Sequence, residues 1–293
     1  MIKNQLIGLI ISLRPRQWTK NFFLFAALLF SKNFLHLDLL LLSIAAVALF
    51  CGISGATYLL NDLLDIKADR HHPVKAKRPI ASGQLSVPFA ITTLILLVIL
   101  TFLISFQIGM SFFITIVGYF LLQIAYSSIL KKIVILDVLG LTAGFVLRVY
   151  AGAAAIHVEI STWLILCSFL LSLFMALGKR RHELTLLGEK AGEHRKVLNE
   201  YSHYLLDQMI AVVTASTVIA YALYTLSEQT IAKFGTNKLI LTVPFVIYGI
   251  FRYLYLVHMK KEGGSPETLL VTDLPFLINI TLWIIASGII IYK

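Results

Sequence analysis

The chain has 293 residues, of which 58% are hydrophobic and only 14% are charged, and its formal net charge is +10. Soluble globular proteins carry about 25% charged residues, so this composition excludes an ordinary soluble domain. Apolar runs of about twenty residues recur without strict alternation, which favours a polytopic helical membrane protein over a β-barrel.

The sequence predicts a single all-α domain that covers residues 1–293 and contains nine membrane-spanning helices. In chain order they are 21–36, 38–60, 88–106, 110–130, 134–156, 160–178, 207–227, 237–257 and 273–292. The first is the shortest and its limits are the least well defined. Polar segments follow the second, sixth and eighth spans, at 61–87, 179–206 and 258–272.

The distribution of positive charge predicts the orientation of these helices. With the N-terminus in the cytoplasm, 20 of the 25 Lys and Arg residues fall on the cytoplasmic side, four on the other side, and Arg148 within a span. Cytoplasmic loops of membrane proteins collect Lys and Arg. All three polar segments are therefore expected at the cytoplasmic face.

The first polar segment begins with a row of Asn and Asp residues, called the acidic row below. Asn61, Asp65 and Asp69 follow one another at intervals of four residues, which places them on one helical face, and Asp62 lies beside Asn61. Mg²⁺ typically uses one or two carboxylates together with water and substrate phosphates. We predict a magnesium–diphosphate site with Asn61, Asp65 and Asp69 as ligands; the alternatives are a solvated loop with incidental ion pairs and, less favoured, a zinc site at the neighbouring histidines.

Two basic groups could hold phosphate. Lys75 and Arg78 follow the acids in the same segment, and Lys179, Arg180 and Arg181 follow the sixth span directly. Guanidinium and ammonium groups bind phosphate oxygens strongly. For the second group, the plain alternative is that these residues only fix the topology.

Further polar residues lie at or inside the membrane. Arg148 occurs within a span, with Asp137 three helical turns earlier, and this favours a polar cavity over simple pairing between helices. Arg16 and Lys20 precede the first span; they are equally consistent with an interfacial anchor and with a site for an anionic lipid head group.

The motif NDxxDxxxD, formed by Asn61, Asp62, Asp65 and Asp69, resembles the first aspartate motif of the UbiA superfamily of intramembrane prenyltransferases. That resemblance implies nine transmembrane helices around a central cavity. The usual second motif, DxxxD after the sixth span, is replaced here by the basic GKRRHEL at 178–184.

Other segments resemble the decaprenyl-phosphate phosphoribosyltransferase branch of this superfamily. They are LRPRQWTKN at 13–21, HPVKAKRPIASG at 72–83, LDVLGLTAGFVLRVYAG at 136–152 and ALGKRRHEL at 176–184. The resemblance implies transfer of 5-phosphoribose from phosphoribosyl pyrophosphate (PRPP) to a polyprenyl phosphate, with Mg²⁺, at the cytoplasmic face of the plasma membrane. No nucleic-acid partner is expected, and a homo-oligomer is left open.

The candidate site residues fall into two groups. The catalytic candidates are Asp62, Asp65 and Asp69. The substrate-binding candidates are Arg16, Lys20, Asn61, Lys75, Arg78, Tyr126, Lys131, Arg148, Lys179, Arg180 and Arg181.

Two other functions are alternatives to the phosphoribosyltransferase. An ordinary UbiA enzyme, which prenylates an aromatic or isoprenoid acceptor, would use the first motif but require paired acids at 178–184. A transporter of anionic solutes would place its charges near the midplane, often on broken helices, whereas the charges here cluster at one face.

Overall fold

The structure is a computed structural model that describes residues 2–71, 75–188, 195–260, 269 and 272–292. In the described residues every regular element is helical. The α-helices are α1 (Ile2–Ser12), α2 (Phe25–Phe30), α3 (Leu37–Leu64), α4 (Ile66–His71), α5 (Val87–Ile108), α6 (Met110–Ser128), α7 (Leu136–Ala155), α8 (Thr162–Leu187), α9 (His203–Leu226), α10 (Glu228–Phe234), α11 (Val243–His258) and α12 (Leu274–Tyr292). Short 3₁₀ helices cover Pro15–Leu24, Lys75–Lys77, Leu130–Lys132, Lys196–Glu200 and Lys238–Thr242.

Eight helices in the described part of the chain are long and apolar enough to cross a membrane. They correspond to α3, α5, α6, α7, α8, α9, α11 with its preceding 3₁₀ turn, and α12. The predicted all-α membrane class is confirmed, and the count of nine spans is approximate.

The predicted span at 21–36 differs from the other eight. It contains the end of the 3₁₀ helix Pro15–Leu24 and the six-residue helix α2, and Lys32 then has a left-handed backbone with a φ of 62°. Its first residues include Asn and several Phe, which are weaker helix formers than Leu or Ala. The segment is apolar, but it does not form one long helix.

Two helices continue beyond the predicted ends of their spans. The second span was expected to end at residue 60 and the sixth at residue 178, whereas α3 reaches Leu64 and α8 reaches Leu187. Hydropathy marks where apolar side chains stop, but backbone hydrogen bonds continue through polar residues with good helix propensity. The first acids of the row and the KRR sequence are therefore helical.

The described residues form two compact units. Unit 1 comprises Met1–Leu28, Asn33–Ser128 and Leu147–Glu159. Within it α3 packs against α5, α6 and the 3₁₀ helix Pro15–Leu24. The aromatic rings of Phe50, Phe112 and Tyr119 are central to its main apolar cluster, into which α3 packs.

Unit 2 comprises Leu29–Lys32, Ile129–Val146 and Ile160–Lys293. Helices α8 and α9 pack along one another, and α11 contacts both. Phe174, Leu177 and Tyr253 are buried in the largest apolar cluster of this unit, which fixes the polar end of α8.

Candidate active site

The row of acids keeps helical register across the end of α3. Asn61 and Asp62 lie in the last turn of α3, Asp65 is its C-terminal cap, and Asp69 lies on α4. The amide of Asp65 donates to the carbonyl of Asn61 over 3.0 Å, and the amide of Asp69 donates to that of Asp65 over 2.8 Å. The predicted one-turn spacing of Asn61, Asp65 and Asp69 is present in the backbone.

Asp62 is the most strongly paired acid of the row. Its buried Oδ1 accepts from Nη2 of Arg14 over 2.6 Å and from Nη1 of Arg78 over 3.1 Å. The same Nη1 of Arg78 lies 2.7 Å from Oδ2 of Asp69. Two arginines thus neutralise two buried carboxylates, as buried charges require.

Asp65 has a different environment from its neighbours. It is partly exposed, and in the described residues no side-chain hydrogen bond or ion pair reaches its carboxylate or the amide group of Asn61. Asp65 is therefore the acid of the row whose charge the described protein groups leave uncompensated.

The donor set matches a metal that binds together with a phosphorylated substrate. Within the described ranges, no group of three His, Cys, Asp or Glu side chains is close enough to hold a metal ion by itself. Mg²⁺ usually keeps several waters and binds through one or two carboxylates plus substrate phosphates. The oxygens of Asp65 and Asn61, with Asp69 one turn further on, fit that pattern.

Arg148 is buried in unit 1 and paired between helices. Its Nε donates to Oδ1 of Asn21 over 2.9 Å and its Nη2 donates to the hydroxyl of Tyr119 over 2.7 Å. Its guanidinium carbon lies 4.8 Å from the centroid of the Tyr119 ring. This is the pairing between helices that the sequence left as the less favoured alternative.

The basic end of α8 forms its own network within unit 2. The side chain of Arg180 is only 1% exposed; its Nε donates to Oδ2 of Asp137 over 2.6 Å and its Nη1 donates to Oε2 of Glu183 over 2.7 Å. Tyr201 donates its hydroxyl proton to Oδ1 of Asp137 over 2.7 Å and accepts from the amide of Ile135 over 2.8 Å. Burial and then the bond to Asp137 raise the pKa of Tyr201, so this hydroxyl keeps its proton.

The residues on either side of Arg180 are more accessible. Lys179 and Arg181 are partly exposed, and Nε of Arg181 donates to Oδ1 of Asp207 over 2.5 Å. Nε2 of His258 lies 3.3 Å from the same oxygen. These contacts join the C-terminal ends of α8 and α11 to the N-terminal end of α9.

The remaining predicted site residues are partly or fully exposed and stay predictions. They are Arg16, Lys20, Lys75, Tyr126 and Lys131. In the segment 72–83, residues 72–74 lie outside the described residues.

Sequence reasoning missed three partners at these sites. The sequence did not identify Arg14 as the partner of Asp62 or Tyr201 as a partner of Asp137, and it placed Asp137 only with Arg148, although its partner is Arg180. The only available signal was the unusual density of charge at the ends of apolar runs, which does not say which charges meet.

Comparison with known proteins identifies the family that the sequence motifs resemble. Residues 21–268 match the model of the UbiA prenyltransferase family. A protein named decaprenyl-phosphate phosphoribosyltransferase from Corynebacterium glutamicum is 33% identical over 99% of this chain and 88% of its own length. A protein of the same name from Mycolicibacterium smegmatis is 32% identical over 99% of this chain and 94% of its own length.

Solved structures share the fold. A UbiA homologue from Archaeoglobus fulgidus, bound to GPP and Mg²⁺, superimposes with a TM-score of 0.71 at 22% identity and covers 97% of this chain and 99% of its own. A digeranylgeranylglyceryl phosphate synthase has a TM-score of 0.71 at 18% identity, with 99% of both chains covered. At these identities the likeness concerns the fold.

Proposed function

Because this chain belongs to the UbiA prenyltransferase family and is an integral membrane transferase, we propose that it moves 5-phosphoribose from PRPP to a polyprenyl phosphate and releases pyrophosphate. The two relatives from Corynebacterium and Mycolicibacterium carry names for a reaction of this class, and this chain resembles them over almost its whole length.

One observation carries the choice of donor. The end of α8, at 178–184, holds three consecutive cations where a two-motif prenyltransferase would need acids. PRPP carries a phosphate on C5 in addition to the pyrophosphate on C1, and the acceptor carries a third phosphate group. A substrate pair with this many anionic groups requires cations beyond those beside the first motif. The basic helix end supports PRPP as the donor.

Within this proposal the cations of α8 have different tasks. Arg180 is held by Asp137 and Glu183, so it fixes the helix end and supplies a buried positive charge. Lys179 and Arg181 are partly exposed and are assigned to phosphate contact, with Lys131 as a further candidate. Within unit 1, we assign Lys75, Arg78, Tyr126 and Arg148 to substrate binding.

The acidic row would hold the metal. Asn61, Asp65 and Asp69 are the proposed ligands of Mg²⁺, and Asp65 is the first of them because no described protein group neutralises it. Bound there, Mg²⁺ supplies positive charge that stabilises the departing pyrophosphate.

The chain's own contribution to the reaction is positioning and electrostatic stabilisation. The C1–O bond to pyrophosphate breaks, positive charge develops on the ribose ring, and an oxygen of the acceptor phosphate forms the new bond to C1. Because the acceptor is already an anion, no strong general base is needed. Cations held in place before the reaction stabilise the phosphates without reorganising in the transition state.

The proposal also covers the side of the membrane on which the active site lies and the number of domains. The active site lies at the cytoplasmic face of the plasma membrane, as the predominance of Lys and Arg on that side suggests. Arg16 and Lys20 are assigned to the phosphate of the lipid acceptor, near the interface. Residues 1–293 act as one UbiA-like domain.

The test is a transfer assay with purified protein. Incubation with radiolabelled PRPP, Mg²⁺ and a polyprenyl phosphate is expected to transfer label to the lipid fraction. The same reaction without Mg²⁺ and with a chelator is expected to give no labelled lipid. A matched reaction contains a prenyl diphosphate and an aromatic acid. Product from the matched reaction, with none from PRPP, would establish the prenyltransferase alternative instead.

A further inference from the structure

The chain between α6 and α7 contains a strained turn. The amide of Leu136 donates to the carbonyl of Val134 over 2.8 Å, and Ile135 between them has a φ of 70°. A three-residue turn with a positive φ at its centre has the pattern of a classic γ-turn, which is rare and strained. A β-branched residue is especially unfavourable there, because its side chain crowds the backbone. Such a conformation persists only where the surrounding structure holds it.

Ile135 does not gain this support from its own side chain. The residue is 47% exposed, so the strained conformation buries little of its apolar surface. Its amide, in contrast, donates to the hydroxyl of Tyr201 over 2.8 Å. Tyr201 is only 5% exposed and directly follows the 3₁₀ helix Lys196–Glu200. The hydroxyl of a buried residue that lies 66 positions further along the chain therefore holds the turn.

The same hydroxyl connects the turn with the basic end of α8. It donates to Oδ1 of Asp137 over 2.7 Å, and Oδ2 of Asp137 accepts from Nε of Arg180 over 2.6 Å. Both carboxylate oxygens are thereby occupied, and Asp137 is fully buried. One tyrosine hydroxyl thus joins the turn at Ile135, the start of α7 and the KRR sequence of α8.

Basic residues lie on both of the segments that this hydroxyl joins. Lys131 belongs to the 3₁₀ helix Leu130–Lys132, which precedes the turn. Lys179 and Arg181 lie on either side of Arg180 at the end of α8. Cations that contact one substrate must keep a fixed separation, because a misplacement of about 1 Å can cost roughly 100-fold in rate. Backbone strain that is held in place is characteristic of sites where such placement matters.

We propose that Tyr201 is a positioning residue of the donor site, because its hydroxyl fixes the lysine-bearing turn and the end of α8 relative to one another. The inference rests on the proposed function in that the cations of these two segments contact donor phosphate. Tyr201 acts through the amide of Ile135 and the carboxylate of Asp137, and it transfers no proton. Phenylalanine at this position would keep the ring but release both partners.

The test compares the steady-state kinetics of wild type and Tyr201→Phe in the transfer assay at pH 7. We expect the Michaelis constant for PRPP to rise roughly tenfold, because the cations lose their fixed separation. The constant for the polyprenyl phosphate should stay unchanged, and kcat should change less than the constant for PRPP.

Tyr221→Phe is the matched control for a general loss of stability. Tyr221 is another buried tyrosine of unit 2, near the far end of α9. Its hydroxyl lies 2.7 Å from that of Thr242 and accepts from the indole nitrogen of Trp283 over 2.9 Å. The variant therefore loses a comparable pair of bonds away from the basic segments, and both Michaelis constants should keep their wild-type values.

Ile135→Gly provides a rescue that a merely structural role of Tyr201 does not predict. Glycine adopts a positive φ without strain, so the turn can form without the hydroxyl. Adding Ile135→Gly to Tyr201→Phe should bring the Michaelis constant for PRPP back toward the wild-type value. Hydrogen exchange of the peptide that contains Ile135 should be faster in Tyr201→Phe, because the amide has lost its acceptor, and unchanged in Tyr221→Phe.

An unchanged constant for PRPP in folded Tyr201→Phe would overturn the proposal, as would an equal rise for both substrates, an equal rise in Tyr221→Phe, or no rescue in the double variant. If Tyr201→Phe does not fold, the double variant is compared with Ile135→Gly alone, and equal constants for PRPP would then contradict the positioning role.

The proposed function fails in a different way. Wild-type protein would then transfer no label from PRPP, and the same kinetic comparison would be made with the prenyl diphosphate as donor. The exchange measurement needs no substrate, so it reports in either case whether the hydroxyl holds the turn.

Discussion

At the scale of single residues, neighbouring acids in one motif have different tasks because they have different partners. Asp62 and Asp69 are buried and bound to arginines, and Asp65 lies between them in sequence without such a partner in the described residues. Asp62, which two arginines contact, contributes to structure and to the placement of those arginines. A carboxylate without a compensating charge is suited to bind a metal cation.

Asp65→Asn is expected to abolish turnover and leave the fold intact. The substitution removes the negative charge that we assign to the metal while breaking no side-chain contact among the described residues. We expect a loss of roughly 100-fold or more in kcat, comparable to the loss of other groups that stabilise developing charge. The measurement is the transfer assay together with a thermal unfolding curve. Asp38→Asn, at the exposed opposite end of α3, is the matched control, and near-normal activity of the Asp65 variant would remove the metal assignment.

Tyr201→Phe tests the bond to Asp137. Losing this donor and leaving the amide of Ile135 without its acceptor should lower the free energy of unfolding by about 1–3 kcal/mol near pH 7. Because the pKa of Tyr201 is raised in the folded protein, the hydroxyl's contribution is fully present below about pH 10, where unfolded tyrosine ionises, and declines at higher pH.

The measurement compares unfolding of wild type and variant in detergent from pH 7 to pH 11. The difference between them should be constant up to about pH 9 and shrink above pH 10. Tyr204→Phe changes an exposed tyrosine of α9 and should have no effect at any of these pH values. A difference that grows with rising pH would contradict the assigned bond.

At the scale of elements, close backbone packing places the N-terminal 3₁₀ helix. A Cβ added at Gly152 of α7 would overlap the carbonyl oxygen of Leu24, the last residue of that 3₁₀ helix. The obstructing atom belongs to the backbone and cannot swing aside. Asn21, on the same 3₁₀ helix, bonds to Arg148 of α7, so the close approach and the buried hydrogen bond depend on each other.

Gly152→Ala is therefore expected to destabilise unit 1. Overpacking of this kind costs about 1–3 kcal/mol, and the thermal midpoint in detergent should fall by several degrees. Gly118→Ala is the control: it lies on α6, with no atom within 4 Å of the added Cβ, and alanine is the better helix former. Equal midpoints for the two variants would show that α7 and the 3₁₀ helix can separate without cost.

At the scale of the whole molecule, hydropathy and charge predict the membrane topology. Eight helices in the described part of the chain are long and apolar enough to span a bilayer. The predicted spans place successive connecting segments on alternate sides of the membrane, and Lys and Arg are concentrated in the segments on one side. Positive charge resists translocation, so that face is expected in the cytoplasm.

Cysteine labelling tests this orientation. With Cys51 and Cys167 replaced by alanine, single cysteines are placed at the exposed Lys67 and Lys238. A membrane-impermeant maleimide should label Lys238→Cys in intact cells and Lys67→Cys only after the membrane is opened. The protein without cysteine is the blank. Labelling of Lys67→Cys in intact cells would reverse the proposed orientation.

The sequence by itself determined the features that depend on local order along the chain. The all-α membrane class follows from apolar runs of sufficient length, and the one-turn spacing of Asn61, Asp65 and Asp69 follows from their separation of four residues. Helix ends were less predictable: α8 extends beyond its predicted span because a helix does not need apolar side chains outside the bilayer.

Only the tertiary structure decided which charges meet. Arg14 and Asp62 are 48 residues apart, Arg180 and Asp137 are 43 apart, and Arg148 reaches across 127 residues to Asn21. Burying a charge is costly without a partner, so each of these side chains must be paired. Sequence composition shows that partners must exist, but long-range packing selects them. That selection distinguishes Asp65, the first proposed metal ligand, from Asp62, which holds two arginines.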